Sequence, residues 1–251
     1  MTGSRLGRRG LIGGLLGGFV AGCTKVAHSG PGASLLATVE EWNLGIQRAL
    51  TKRTALAREF TLADISPTFR GNGTTDPKSP VYDAHIANGF ADWRLAVDGL
   101  VERPLALSLA QVKALPQRTQ ITRHDCVEGW SAIGQWSGVP LHDLLRAAGL
   151  RPEAKFIVFH CADILSGAQY YESIDLIDAL HPQTIVAHSL NGEPLPVKNG
   201  APLRMRIERQ LGYKQAKYVE RIEAVASLDK IAGGKGGYWE DRSGYQWYAG
   251  I

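Results

Sequence analysis

The spacing of apolar residues predicts one amphipathic helix near the N-terminus of the chain, followed by short strands and helices. Between positions 33 and 57, large apolar residues recur at roughly helical spacing, although Gly45 weakens this helix. These residues are Leu35, Leu36, Val39, Trp42, Ile46 and Leu50.

Three later segments have the pattern of β-strands. Large apolar residues alternate over 93–97, ahead of an Asp98-Gly99 turn, and an unbroken apolar run over 156–159 is typical of a buried strand. Over 203–208, apolar residues alternate with charged ones, which predicts a half-buried strand with a charged face.

Short helices are predicted between these strands. Ser108 can cap one helix, a second begins after Pro140 and ends near Gly149, and a third ends before Pro182. Strands with short inserted helices, rather than a regular βαβ series, predict a mixed α+β domain.

The N-terminal segment resembles a bacterial export signal. Arg5, Arg8 and Arg9 precede an uncharged stretch over 10–21 that is too short to cross a bilayer comfortably. Arg8-Arg9 resembles the pair in twin-arginine signals. The Val-Ala-Gly-Cys run that ends at Cys23 resembles a lipobox, whose cysteine is lipidated. A glycine-rich leader with a chance arginine pair is the alternative.

These features predict three parts of the chain: an export signal over 1–22, a helical linker over 23–62 and one globular domain over 63–251. The protein is expected at the periplasmic face of a membrane, held there by a lipid anchor, or in the periplasm.

The charge of the chain indicates no nucleic-acid partner. The formal net charge is +4, but basic and acidic residues are interleaved along the sequence. No helix-turn-helix, zinc-finger or RNA-recognition pattern appears, so we expect no binding to nucleic acid.

Two cysteines, Cys126 and Cys161, follow the expected signal, and three kinds of site remain open for them. In an exported protein, a pair of cysteines first suggests a disulfide. His124 and His160 lie close in sequence, so a zinc site is a second option, although the spacing is not that of common structural zinc sites. The third option is a thiolate ligand to a soft, redox-active metal.

Residues 123–131, Arg-His-Asp-Cys-Val-Glu-Gly-Trp-Ser, resemble the molybdenum-ligating segment of the sulfite oxidase family. The likeness is greatest to the bacterial periplasmic methionine sulfoxide reductase branch, in which a Val-Glu-x-Trp-Ser run follows the ligand cysteine. Ordered blocks extend the resemblance from about residue 66 to residue 228. The further matching blocks are residues 136–141, 181–184, 191–196, 199–204 and 211–214.

The resemblance implies an oxidoreductase with a molybdenum–molybdopterin cofactor, in which Cys126 is the protein ligand to the metal. Molybdenum that cycles through two-electron oxygen-atom transfer requires soft, electron-rich sulfur donors. The implied substrate is a small oxo-compound, and the implied reaction is S-oxide reduction or sulfite oxidation. The implied fold is the α+β molybdopterin-binding fold of mixed sheets, as a single domain without the immunoglobulin-like dimerisation domain of animal members.

The same resemblance assigns further site residues. Those expected to contact the cofactor are Asn72, Cys161, Asn199, Arg204, Gly212, Tyr213, Lys214 and Lys217. An arginine fork, ammonium groups and backbone N–H groups suit a dianionic phosphate. Cys161 replaces a threonine of the reductase branch, and Asn72 also suits a surface turn. Arg206 and Arg209 are instead expected on an exposed strand face, paired with Glu208.

Two residues are candidates for catalysis beside Cys126. Tyr170 takes the place of an active-site tyrosine of sulfite-oxidising members, or packs as an aromatic residue at a strand end. His124 is a candidate proton relay, or a hydrogen-bonded imidazole of the core.

Electrons are expected to pass through a separate protein, a membrane haem protein or a c-type cytochrome. The chain contains no Cys-x-x-Cys-His motif for covalent haem. Two alternatives stay open: a non-catalytic binding lipoprotein that retains the fold, and a zinc protein that uses His124, Cys126, His160 and Cys161. The tail over 233–251, rich in Gly, Tyr and Trp, is expected to form an aromatic cover or a docking surface.

Overall fold

The computed structural model describes residues 30–50 and 52–251, and the chain divides into two compact units, Met1–Lys52 and Arg53–Ile251. The described part of the first unit contains one α-helix, α1 (Gly30–Leu50). The expected export signal and Cys23 lie outside the described residues. Where the structure describes the chain, no helix combines the length and the apolar character needed to cross a membrane.

Helix α1 confirms the predicted N-terminal helix, but it ends at Leu50 instead of near Ala57. Gln183 binds both backbone groups of Ala57: its Oε1 accepts the N–H (2.7 Å) and its Nε2 donates to the carbonyl (3.0 Å). These groups are therefore unavailable for helical hydrogen bonds. The second compact unit begins at Arg53.

Short strands and helices follow one another in the second unit. In chain order, they are α2 (Pro80–Ala87), β1 (Arg94–Gly99), β2 (Leu105–Ser108), α3 (Leu109–Ala114), β3 (Arg118–Cys126), β4 (Trp130–Pro140), α4 (Leu141–Ala148), β5 (Phe156–Leu165), β6 (Ala168–Asp175), α5 (Leu176–Ala179), β7 (Ile185–Leu190), β8 (Glu193–Pro194), β9 (Arg204–Arg206), β10 (Val219–Val225) and α6 (Tyr238–Ser243). This order confirms the predicted α+β domain with short inserted helices.

The strands form two five-stranded sheets. The first sheet has the order β2-β1-β10-β5-β6, in which β1 and β10 run parallel and the other neighbours antiparallel. The second sheet has the antiparallel order β3-β4-β7-β8, with β9 also paired to β7. Because β10 lies between β1 and β5, the first sheet is complete only when distant segments of the chain have come together.

The caps of α3 and α4 confirm their predicted boundaries. The Ser108 hydroxyl accepts the Gln111 N–H (3.2 Å) and the Gln111 side chain accepts the Ser108 N–H (2.8 Å), which is a capping box. Helix α4 begins directly after Pro140 and ends at Gly149, whose φ of +72° is a conformation that glycine adopts without steric cost.

Hydrophobic residues cover both faces of the second sheet. The main core combines residues of both sheets, such as Leu95 and Ile222 from the first and Val186 from the second. A smaller cluster around Phe69 and Trp136 lies on the opposite face of the second sheet. Strands β7 and β9 of the second sheet are therefore buried on both faces, whereas β3 keeps one face partly exposed.

This double burial corrects the expected charged face of the strand over 203–208. Leu203 and Met205 enter the main core, but Arg204 and Arg206 on the other face are also fully buried. Their guanidinium groups lie 5.0 and 4.4 Å from the centroid of the Trp136 ring. The alternation in the sequence therefore separates an apolar buried face from a charged buried face.

Gly138 lies where β4 and β7 approach closely, at an irregularity in their pairing. A Cβ atom added there would lie 2.6 Å from Ala187 Cα and closer still to the Val186 carbonyl oxygen. We predict that Gly138→Ala lowers the free energy of unfolding by roughly 1–3 kcal/mol, because the crowding is against backbone. Equilibrium urea denaturation measures this loss.

The matched control is Gly45→Ala in α1, since, apart from the backbone of α1 itself, no atom of the described residues lies within 4 Å of the Cβ added there. We expect this variant to unfold at the wild-type urea concentration or above it. An unchanged midpoint for Gly138→Ala as well would contradict the close approach of the two strands.

Candidate active site

A hairpin of β3 and β4 places Cys126 at its tip. Cys126 ends β3 and pairs with Trp130, which begins β4. The three residues between them turn the chain, with a hydrogen bond from Gly129 N–H to the Cys126 carbonyl (3.0 Å) and a φ of +85° at Gly129. A left-handed glycine is typical of three-residue hairpin loops. The local sequence therefore determines where the thiol lies.

Cys126 lines a cavity of about 190 Å³. The hairpin tip, the loop over 72–74, the segment over 212–217 and the C-terminal segment all contribute to its walls. The predicted site residues that line it are Asn72, Cys126, Tyr170, Gly212, Tyr213 and Lys217. The structure thus brings together residues that lie far apart in the sequence.

Hydrogen bonds to the Glu128 carboxylate join the loop that contains Asn72 to the hairpin. Its Oε1 accepts the Gly73 N–H (3.1 Å) and its Oε2 accepts the indole N–H of Trp130 (2.9 Å). These hydrogen bonds, that of Trp130 foremost, hold the pKa of Glu128 below its usual value. An ionised carboxylate therefore joins the two segments that flank the Cys126 thiol.

Burial keeps the Cys126 thiol protonated in the absence of a metal. The side chain is 8% exposed, and burial followed by the nearby charge of Glu128 raises its pKa. A bound metal cation reverses this balance, since a coordinating thiol loses its proton. The thiol is thus a poor free nucleophile and a suitable metal ligand.

Two buried cations beside the cavity have no carboxylate partner among the residues that the structure describes. Arg204 is fully buried and donates to the carbonyls of Asn199 (3.1 Å) and Gln215 (3.4 Å). Lys217 donates to the carbonyls of Asn72 (2.6 Å) and Thr74. Carbonyl groups stabilise a cation without neutralising it, so this part of the site remains positive.

Burial and mutual repulsion lower the proton affinity of both cations. Burial and then the charge of Arg206 lower the pKa of Arg204 to about 9. Burial and then the charge of Arg204 lower the pKa of Lys217 to about 7. The two side chains are close: a Cβ at Gly200 would lie 2.9 Å from Lys217 Cβ and 3.2 Å from Arg204 Cβ. An anion between them would relieve this repulsion.

Several buried polar atoms at the site have no partner within the described part of the chain. They include Arg204 Nε, Asn72 Oδ1 and Asp163 Oδ1. Buried donors and acceptors are normally hydrogen-bonded, and each exception requires an explanation. A ligand that offers both donors and acceptors satisfies them, as a phosphorylated pterin does.

Lys214 does not line the cavity, contrary to the expected phosphate contact. Its ammonium group is fully buried between the carboxylates of Glu172 (2.6 Å) and Glu240 (2.8 Å). Two carboxylates already compensate its charge. Lys214 therefore has a structural role, because it ties the C-terminal segment to β6.

Arg206 and Arg209 are buried, which corrects their expected place on an exposed face. Arg206 does pair with Glu208 (2.6 Å), as predicted. Arg209 pairs with Asp178 (2.6 Å) instead of Glu208. Both guanidinium groups thus have a carboxylate partner, unlike Arg204.

His124 is fully buried behind the cavity and does not line it. Its Nδ1 lies 3.1 Å from an Arg206 guanidinium nitrogen and 3.4 Å from Gln215 Oε1. Its Nε2 faces Gly212 and has no hydrogen-bond partner in the described part of the chain. Burial and then Arg206 lower the pKa of His124 well below its usual value. The structure therefore favours the neutral core imidazole over the proton relay.

Asn199 and Cys161 are also buried outside the lining of the cavity. Asn199 supports the site indirectly, because its carbonyl holds Arg204 and its amide donates to the Arg70 carbonyl (3.2 Å). Cys161 lies in the main core, where burial raises its pKa well above the usual value. Its expected contact with a cofactor is not supported.

Cys126 and Cys161 are both free thiols, so the disulfide alternative does not apply. Across the described residues, no group of three or more His, Cys, Asp or Glu side chains is placed to hold a metal ion. His160 instead contacts Glu223 (2.8 Å). The four-residue zinc site is therefore not formed.

Tyr170 and Gly212 both lie in the cavity wall. The Tyr170 hydroxyl donates to the Tyr213 carbonyl (2.7 Å), and burial followed by the charge of Glu172 raises its pKa well above the usual value. Gly212 has no room for a side chain, since a Cβ would lie 2.6 Å from the His124 ring. Both residues therefore shape the wall formed by the segment over 212–217.

The cavity contains residues that the sequence does not reveal. They are Thr74, Val127, Glu128, Asp163, Leu165, Gln215, Ala216, Trp239 and Tyr245. Burial raises the pKa of Asp163 to about 6, which makes it an acid that titrates near neutral pH inside the cavity. Val127 and Glu128 lie inside the matched segment over 123–131, and Gln215 and Ala216 directly follow the block over 211–214. Trp239 and Tyr245 lie in the tail, and only the folded chain brings them to Cys126.

Known proteins resemble this chain in sequence and in fold. It is 47% identical over 160 residues to a putative protein-methionine-sulfoxide reductase subunit of Azospira oryzae, covering 64% of this chain and 56% of the relative. It is 33% identical over 173 residues to the protein-methionine-sulfoxide reductase catalytic subunit of Xanthomonas axonopodis pv. citri, covering 64% and 52%. The chain spans about half the length of these relatives.

A solved structure has the same fold. The sulfane dehydrogenase of Paracoccus pantotrophus superposes with a TM-score of 0.50 at 23% identity, covering 59% of this chain and 45% of that one. The family model of the oxidoreductase molybdopterin-binding domain matches residues 81–230, more than half of the chain. The chain belongs to this family of molybdopterin-binding oxidoreductases, the sulfite oxidase family.

Proposed function

We propose that this chain is the catalytic domain of an exported enzyme that reduces organic sulfoxides, methionine sulfoxide above all. The observation that carries the proposal is a buried thiol, Cys126, in a cavity that Lys217 also lines. Arg204 does not line this cavity but lies against Lys217, and neither cation has a carboxylate partner in the described part of the chain. A thiol ligand next to a positive pocket suits a metal held by a phosphorylated organic chelate. When bound, the molybdenum cofactor supplies two-electron oxygen-atom transfer.

Different residues of this chain are proposed to bind the phosphate, the polar edge and the metal of that cofactor. Arg204 and Lys217 compensate the charge of its phosphate, since both are cationic, buried and without a carboxylate partner in the described part of the chain. Asn72 lines the cavity, and its Oδ1, which has no partner in the described part of the chain, is proposed to accept a hydrogen bond from the polar edge of the cofactor. Cys126 offers its sulfur to the metal, and the ordered hairpin fixes the position of this ligand.

Sulfoxide reduction is favoured over sulfite oxidation by the relatives. Those described above are named as subunits of protein-methionine-sulfoxide reductases. Tyr170, the residue that suggested sulfite oxidation, donates its hydroxyl proton to a backbone carbonyl. That proton is therefore hydrogen-bonded within the protein and is not available to a substrate oxyanion.

A separate redox protein completes the reaction. Reduction of a sulfoxide to a thioether and water consumes two electrons and two protons. The proposed electron donor is a membrane haem protein or a c-type cytochrome. The Azospira oryzae relative is named as a reductase subunit, which supports a separate partner. Asp163 lines the cavity with a pKa of about 6 and is a candidate to hold one of the protons.

Export is part of the proposal. Arg8-Arg9 before an uncharged stretch supports the twin-arginine route, which carries folded proteins and so suits a cofactor inserted in the cytoplasm. The lipobox-like run that ends at Cys23 supports a lipid anchor on the periplasmic face of a membrane.

We predict that Cys126→Ser abolishes sulfoxide reduction, while Cys161→Ser retains much of it. Serine keeps the shape of the side chain but loses the soft sulfur donor. Cys161 is the matched control, because it is a free, buried cysteine that does not line the cavity. Protein from a molybdate-replete host is assayed with reduced benzyl viologen.

Equal loss of activity in both cysteine variants would contradict the assignment of Cys126. The same preparations are analysed for molybdenum and for pterin. Wild-type protein without either would instead favour a non-catalytic binding protein that retains the fold.

We predict that Arg204→Ala lowers the fraction of purified protein that retains the pterin. Removal of a charge-assisted contact to phosphate costs about 1.5–3 kcal/mol, which is roughly a 10- to 100-fold loss of affinity. The exposed Arg146→Ala is the control and should retain wild-type occupancy. Full pterin content in Arg204→Ala would refute the phosphate assignment.

We predict that the apo-protein binds sulfate, a mimic of the phosphate, about tenfold more tightly at pH 6 than at pH 8. Lys217 is charged below its pKa of about 7 and neutral above it, whereas sulfate keeps its charge throughout this range. Isothermal titration calorimetry at constant ionic strength measures the difference. Lys217→Met should reduce the pH dependence to the smaller part contributed by Asp163, whose pKa is about 6, and Lys113→Met should keep it in full. An unchanged pH dependence in Lys217→Met would contradict the prediction.

A further inference from the structure

The C-terminal segment supplies an aromatic wall to the cavity of Cys126. Trp239 and Tyr245 line this cavity together with Tyr213, and we call these three residues the C-terminal wall. Trp239 stacks on Tyr245 with ring centroids 5.7 Å apart, and Tyr245 meets Tyr213 edge to face at 5.1 Å. Trp239 and Tyr245 lie outside residues 81–230, the part of the chain that matches the family model.

Several contacts hold this segment in place against the domain. Glu240 in α6 pairs with the buried ammonium of Lys214 (2.8 Å). The Trp247 indole N–H donates to the Ser173 hydroxyl (2.8 Å), and the Leu211 N–H donates to the Ala249 carbonyl (2.9 Å). An aromatic surface that is ordered before a ligand arrives costs little conformational entropy when the ligand binds.

The C-terminal wall combines large apolar surfaces with access from the cavity. Trp239 and Tyr245 are half-buried, so part of each ring remains free for a ligand. Leu165 and Tyr170 extend this uncharged surface. Aromatic faces contact polarisable sulfur and its methyl group favourably.

Once the cofactor phosphate occupies the cations, the charged groups that remain in the lining are unsuited to a small inorganic anion. Glu128 and Asp163 are carboxyl groups, and an ionised Glu128 would repel a sulfite dianion. Lys217 and Arg204 are assigned to the cofactor phosphate in the proposed function. A neutral sulfoxide avoids this repulsion and gains the aromatic contacts.

We propose that the C-terminal wall binds the S-methyl and methylene groups of an organic sulfoxide and thereby sets the preference of the enzyme for this class over inorganic oxyanions. This inference rests on the proposed sulfoxide reduction. Trp239 and Tyr245 are specificity-determining residues in this view, and the reaction itself takes place at the other residues of the cavity.

The test compares KM and kcat of the full-length holoenzyme for N-acetyl-methionine sulfoxide methylamide, a neutral substrate, with reduced benzyl viologen as the electron donor. Trp239→Leu and Tyr245→Leu should each raise KM roughly 2- to 10-fold and leave kcat within about twofold. Trp239→Phe retains an aromatic face and should restore most of the wild-type KM.

Trp42→Leu is the matched control, because this tryptophan is 70% exposed on α1 and does not line the cavity. It should leave KM unchanged. Molybdenum and pterin content and the thermal unfolding midpoint are measured for every variant, so that loss of cofactor or of fold is distinguished from loss of substrate binding.

A second readout does not depend on turnover. Saturation-transfer NMR detects binding of the corresponding sulfone. The sulfone keeps the S-methyl group of the substrate and is not converted to the thioether, so its binding is measured without turnover. The signal from its S-methyl group should be strong with wild-type protein and weak with Tyr245→Leu and Trp239→Leu.

Unchanged KM and unchanged sulfone binding in both leucine variants would overturn the inference while leaving sulfoxide reduction itself in place. Loss of pterin from these variants would also overturn it, since the wall would then hold the cofactor. Wild-type holoenzyme that binds the sulfone but reduces no sulfoxide would refute the proposed function instead.

Discussion

Two buried positive charges without a carboxylate partner in the described chain, Arg204 and Lys217, are the constraint on which the site depends. Burial of an uncompensated cation is costly, and here the two cations also repel each other. Gly200 lets their side chains lie close together, and backbone carbonyls solvate them without removing their charge. The fold therefore maintains a positive pocket whose electrostatic cost an anionic group offsets.

The other buried charges of the domain show how unusual this pocket is. Arg206 pairs with Glu208, Arg209 pairs with Asp178, and Lys214 lies between two carboxylates. These neutralised groups hold strands and the C-terminal segment together. Buried cations that have carboxylate partners thus stabilise the fold, whereas the two that have none in the described chain lie at the proposed ligand site.

The sequence predicts the α+β class, the caps of the short helices and six residues that line the cavity, including Cys126. It does not predict the β3–β4 hairpin, because the buried face of β3 carries the polar residues Gln120, Thr122 and His124 and gives no apolar period. The burial of Arg206 and the structural role of Lys214 are also missed. An alternating pattern shows that two faces differ, but whether the second face is covered depends on tertiary packing. The family membership of the chain came from the order of its motifs, whereas the aromatic contribution of the tail required the structure.

The central claim is that the sulfur of Cys126 binds molybdenum beside a buried organic chelate. X-ray absorption at the molybdenum K-edge of the purified holoprotein tests this claim most directly, because it counts the sulfur atoms bonded to the metal. The account predicts three, two from the dithiolene of the cofactor and one from the polypeptide. A spectrum that requires only the two sulfurs of the cofactor would contradict it.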